Sequence, residues 1–84
     1  MVDKACDDET EHEMYECVMK NESVRGVDLL RTRTFGNIIY VDIEIRVDGK
    51  LTLWEAHAIA ESVHDSVETE FSKVKHIMVH VNPC

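Results

Sequence analysis

Four residues of this 84-residue chain carry the side chains that divalent metals favour: Asp28, Glu44, His57 and His80. Imidazole nitrogen combined with carboxylate oxygen suits zinc and its divalent neighbours. The four are scattered, with none of the close spacing of a local ligand motif, so the residues alone leave a second reading open. In that reading His80 lies on the polar face of a strand, His57 flanks the buried stripe of a helix, and Asp28 and Glu44 are solvated acids. Glu61, His64 and Glu68 fall at i, i+3 and i+4 spacing, which fits an ion but is also ordinary on a solvated helix. Cys6 and Cys84 are terminal thiols with some affinity for soft ions. The chain has no nucleophile–base arrangement, no Gly-rich phosphate loop, no Gly-x-Ser-x-Gly and no His-Glu-x-x-His. A non-enzymatic role is therefore expected.

The bulk properties narrow the partners. Eighty-four residues make one small domain, which buries only part of its surface, so oligomerisation is a natural source of further stability. A net charge of −8 disfavours sequence-independent nucleic-acid binding and direct docking on anionic lipid. It suits a surface that gathers cations. No apolar run approaches the roughly 18 to 20 residues of a spanning helix, and no stretch reads as a signal peptide. The three cysteines are odd in number and lack a Cys-x-x-Cys pair, which points to reduced thiols in a cytosolic setting.

Residues 1–6 read as a tether. A helix is expected to open at Asp7-Asp8-Glu9, with Asp8 and Glu11 as its capping box, an apolar centre at Met14 and Val18 with Cys17 beside it, and an end at Asn21. Val24 to Thr34 reads as a strand in which Gly26 marks a bulge or bend. After the turn Phe35-Gly36-Asn37, Ile39, Val41, Ile43, Ile45 and Val47 alternate with Tyr40, Asp42, Glu44 and Arg46, giving one buried and one polar face. Asp48-Gly49 turns the chain. Thr52 with Glu55 caps a long helix whose buried stripe is Leu53, Ala56, Ala60, Val63 and Val67, with Phe71 one turn on. Ile77, Val79 and Val81 then alternate with His76, Met78 and His80 in a last strand that Pro83 stops. The order helix–strand–strand–helix–strand makes an α+β open sandwich, with two helices on one face of a three-stranded sheet. A ferredoxin-like arrangement would seat the last strand beside the first. Tyr40, Asp42, Glu44, Arg46, His76, Met78 and His80 would then share the uncovered face, a place for a partner or an ion.

The segment Val27-Asp28-Leu29-Leu30-Arg31-Thr32-Arg33, the Gly36-Asn37 turn, the helix carrying Trp54-Glu55-Ala56-His57 and the ending Ile77-Met78-Val79-His80-Val81-Asn82-Pro83-Cys84 follow a recognisable order and spacing. They resemble the carboxy-terminal cytosolic domain of cation diffusion facilitators, membrane antiporters that expel zinc and related divalent metals. The resemblance implies a ferredoxin-like fold, a homodimer, and attachment to a transmembrane domain of the same chain at the cytoplasmic face of a membrane. It divides the chain into a membrane-proximal tether at 1–6 and a dimerisation and metal-sensing domain at 7–84. It also implies a role: metal bound within or between subunits draws them together and biases the attached membrane domain. The family's cytosolic ligands fall on Asp28, Glu44, His57, His80 and Asn82. The two histidines match in type. Asp28 and Glu44 stand where zinc-transporting members often have histidine, and Asn82 where an aspartate is frequent. Zinc is the first expectation for the ion. The harder, oxygen-rich set weakens zinc and raises the relative standing of manganese or iron. Arg31 and Arg33 belong to the family's Leu-Arg-Thr-Arg sequence, expected here to form ion pairs. Asp3 corresponds to an acidic residue in a contact near the membrane surface. A free-standing metal carrier or small-ligand sensor of the same fold is the rival reading.

Overall fold

The computed structural model describes residues 6–84. Its elements run α1 (Asp8–Met19), β1 (Gly26–Phe35), β2 (Ile38–Val47), α2 (Leu53–Glu70) and β3 (Val74–Pro83). Most of the tether, Asp3 included, lies outside the described residues. Cys6, its last member, is anchored: its N–H donates to the Thr32 hydroxyl at 2.9 Å, which in turn donates to Glu11 Oε2 at 2.6 Å.

The helix starts follow from side chains that satisfy orphan N–H groups. Asp7, rather than the expected Asp8, caps α1, accepting from the Thr10 N–H at 2.8 Å. That hydrogen bond favours the carboxylate and holds the Asp7 acid below its usual range. The first turn also holds Asp8, Glu9 and Glu11, so one residue's shift in the cap leaves the dipole argument intact. At α2 the Thr52–Glu55 capping box forms in both directions, at 3.1 and 2.9 Å.

β1 and β2 form an antiparallel hairpin across Gly36, whose φ of 62° lies in the left-handed region that glycine enters without a Cβ clash. β3 pairs with β2 in parallel, giving the order β1-β2-β3. This corrects the expected pairing of the last strand with the first. Period-two patterning fixes which side chains face the core but says nothing of which edge a returning strand joins. Here the α2 crossover carries the chain back to the free edge of β2, so β2 is central and hydrogen-bonded on both sides.

One face of the sheet is covered by the helices. The core joins Met14, Cys17 and Val18 of α1 to Val41, Ile43, Ile45 and Val47 of β2, Val63 and Val67 of α2, and Val24 and Val74. Leu53 was expected in the buried stripe but is 85% exposed, beside Trp54 at 83%. Both sit in the first turn of α2. The stripe takes hold one turn later, at Ala56, Ile59 and Ala60.

Among the described residues, no helix lies over the opposite face. Along β2, Tyr40, Asp42, Glu44 and Arg46 point there, as the alternation requires, joined by His76, Met78, His80 and Asn82 of β3. Its two ends differ. Phe35, Tyr40 and His76 make an aromatic group near the hairpin, with ring centroids 5.4 and 4.4 Å apart, and Ile38 and Met78 are exposed beside it. The far end carries Glu44, Arg46 and Asn82.

Candidate metal centre

The polar end is assembled from all three strands. Register shifts between Val27 and Leu29, leaving Asp28 as the extra residue of a bulge in β1. A bulge re-aims its side chain, and here the Asp28 carboxylate reaches across the open face. Asn82 on β3 sits level with Arg46 on β2. Its side-chain amide donates to Asp28 Oδ2 at 3.1 Å and to Glu44 Oε1 at 3.2 Å. Both partners are acceptors when ionised, so the amide must present its NH2 group and not its oxygen. The other Asp28 oxygen accepts from Arg46 Nε at 2.8 Å.

Gly26 makes this last contact possible. It lies opposite Arg46 in the β1–β2 register, and a Cβ there would collide with the Arg46 guanidinium. The bare backbone therefore seats the arginine against the strand that carries Asp28.

Of the five expected ligand positions, the fold brings Asp28, Glu44 and Asn82 into one hydrogen-bonded group. His80 lies level with Glu44 on β3 and on the same face, its side chain exposed. His57 is not part of this group. It sits on α2, on the helical side of the sheet, with Nε2 3.6 Å from Glu61 Oε1, and lines a recess with His64, Asp65 and Val79. Within one subunit it is separated from the other four by the sheet itself.

By type the donors suit a divalent cation, but their ligand atoms are not gathered as an ion would need them: among the described residues the group of three ionisable ligands lying within 4.8 Å of one another is on α2. Two carboxylates converge on one small polar group, a third side chain can offer a hard amide oxygen, and an imidazole stands alongside; hard oxygen with one nitrogen suits manganese, iron and zinc. A second group lies on α2. Ligand atoms of His64, Asp65 and Glu68 fall within 4.8 Å of one another, with His64 Nδ1 3.4 Å from Asp65 Oδ1. The expected partner Glu61 pairs with His57 instead. The sequence pattern marks Gly26 as a bulge or bend and sets Arg46 on the polar face, but does not bring the two together. Their relation appears only once the strand register is known, although Arg46 two residues after Glu44 on a polar face was a visible hint.

A sequence profile described as "Cation efflux protein, cytoplasmic domain" matches residues 6–84. The chain belongs to this family. Among relatives of the cytoplasmic domain, the manganese efflux system protein MneP of Bacillus subtilis (strain 168) is 28% identical over 83 residues, 99% of this chain and 28% of its own length. The cation-efflux pump FieF of Citrobacter koseri is 30% identical over 84 residues, 100% of this chain and 28% of its own length. The chain thus spans little more than a quarter of these relatives. A variant of the MamM C-terminal domain in a cadmium form superposes with a TM-score of 0.88 at 27% identity, covering 92% of this chain and 96% of that one. Another variant, in a nickel form, gives 0.84 at 28% identity, with 90% and 98% coverage. These matches carry the ferredoxin-like assignment, with the strand order described above. Among the described residues no helix is long and apolar enough to cross a membrane.

Proposed function

We propose that this cation efflux cytoplasmic domain dimerises through the open sheet face and binds a divalent cation at Asp28, Glu44, His80 and Asn82, at the cytoplasmic face of a membrane. The ion biases closure of the dimer and, through it, a transmembrane domain of the same protein. The observation that carries this reading is the convergence of Asp28, Glu44 and Asn82 from three strands on a face that no helix covers. The aromatic end of the same face supports the dimer: Phe35, Ile38, Tyr40 and Met78 are large apolar groups left in solvent by the monomer. The cadmium and nickel forms of the MamM domain and the manganese named in MneP favour an ion-binding role without fixing zinc. The oxygen-rich donors lean towards manganese or iron. His57 enters this reading either from the neighbouring subunit or at a separate site on α2.

The test is a calorimetric titration of the chain with zinc and with manganese, paired with sedimentation. The wild type is expected to bind and to sediment as a dimer at high micromolar concentration. His80→Ala should weaken binding at least about tenfold, or roughly 1.4 kcal/mol. His57→Ala alone should weaken it less. A monomer with and without metal, or binding unchanged in the His57→Ala/His80→Ala double variant, overturns the reading.

A further inference from the structure

We infer that Asn82 and Arg46 hold the carboxylate oxygens that an incoming cation would need, so that the cation must displace both, and that these two residues set the metal threshold of the site. The inference rests on the metal-binding role proposed above and concerns what that role costs.

Two carboxylates brought together on one face of an acidic protein repel each other, and something cationic or donor-rich must sit between them. In this structure that role is filled from within. The Asn82 NH2 group bridges Asp28 Oδ2 and Glu44 Oε1, and the Arg46 guanidinium takes the remaining Asp28 oxygen. Each donor contributes what a bound ion would, partial or full positive charge directed at carboxylate oxygens. These contacts draw the cluster together.

An ion entering between Asp28 and Glu44 meets the wrong end of the Asn82 amide. The side chain must rotate about half a turn, presenting Oδ1 as a hard ligand and giving up both hydrogen bonds. Arg46 must release Asp28. Its side chain and that of Asp28 are 46% and 36% exposed, so this pair is a weak competitor, of the order of a surface ion pair. The Asn82 bridge, charge-assisted at both ends, is the stronger one. The displacement penalty falls on every cation alike. An ion that binds oxygen donors strongly overcomes it, while one that relies on nitrogen gains little from the freed amide oxygen.

The experiment compares the wild type with Asn82→Asp, Arg46→Gln and Arg46→Lys by calorimetry with manganese chloride and zinc chloride, and by thermal unfolding in a chelator. Asn82→Asp removes the bridge and adds a ligand; it should bind both ions at least about tenfold more tightly and unfold at a lower temperature in chelator, with added metal raising it again. Arg46→Gln removes a competitor without adding a ligand; it should bind about two- to fivefold more tightly, the range a surface pair allows. Arg46→Lys keeps the cation and should behave as the wild type. If Arg46→Gln and Asn82→Asp bind no more tightly than the wild type while the wild type binds, the competition is overturned and the metal-binding role stands. If neither the wild type nor any variant binds, the metal-binding role itself fails and the inference with it.

Discussion

Cys17 shows what burial does to a reactive group in this fold. It packs in the core at 4% exposure, and desolvation, helped by the adjacent Glu70 carboxylate, pushes its thiol up to about 11. A thiol is neutral when protonated, so both effects penalise the thiolate. The unfolded chain ionises near the ordinary cysteine value of about 8.5. The stabilisation linked to Cys17 is therefore fully present below that value and is lost as pH rises through about 11. Unfolding by urea at pH 8 and pH 10 should show the wild type losing more stability over this interval than Cys17→Ala. Parallel losses in the two proteins would show that the thiol does not titrate differently on folding. The same burial leaves Cys6 and Cys84 as the thiols open to reagents, since Cys6 is half-buried and Cys84 exposed.

At the scale of elements, the sequence exposed faces far better than neighbours. The alternation from Ile39 to Val47 predicted every buried residue of β2, and Thr52 with Glu55 located the start of α2 to the residue, because both signals are local in the chain. Leu53 differs from its expected burial because periodicity gives the face of a helix but not the turn at which that face begins to be covered. The order of strands was misread for a similar reason: edge choice depends on how α2 packs, which no spacing records. Of the candidate site, donor type singles out Asp28, Glu44 and His80 and the family resemblance adds Asn82, but neither shows the hydrogen bonds that join Asp28, Glu44 and Asn82. The Asp28 bulge and the seat that Gly26 offers Arg46 are products of register. Gly26→Ala tests that seat. The atoms nearest the added Cβ belong to the flexible end of Arg46, and alanine restricts the unfolded chain more than glycine does. Stability should therefore change by no more than about 1 kcal/mol, while the guanidinium is pushed off Asp28. Calorimetry should then show metal affinity moving in the same direction as in Arg46→Gln. A loss of stability well beyond that range would mean that the β1–β2 strands themselves part, and that Gly26 is needed for pairing as such.

For the whole molecule, the decisive quantities are charge and the separation of the two ends of the open face. Each chain carries a net charge of −8, so two copies facing each other across their sheets repel unless ions or ion pairs intervene. Tyr40 and Glu44 are four residues apart on β2, about 13 Å at strand rise. The aromatic end can therefore hold two subunits together while the acidic end stays apart. In the proposed dimer that geometry would make a hinge of the aromatic contact and a clamp of the acidic end. Under the proposed function a divalent ion at the acidic end would offset charge and would gain ligands from the second subunit, His57 among the candidates, only when the pair closes. Closure can be driven no further than the ion's preference for the closed form. Because Asn82 and Arg46 hold Asp28 and Glu44 through their own hydrogen bonds, an ion at the proposed site would have to displace them, and the expected response is a graded shift rather than an all-or-none lock. Paired nitroxides read it out. A Glu13→Cys label on the exposed side of α1, with Cys6 and Cys84 changed to serine and the buried Cys17 left in place, reports the distance between subunits. It should shorten with manganese or zinc and stay constant with magnesium, which sheds its water reluctantly. In Asn82→Asp the chelated form should start more open and close further on addition of metal. An identical distance distribution with and without saturating zinc in both proteins would leave the domain a dimerisation module whose acidic end plays no part in switching.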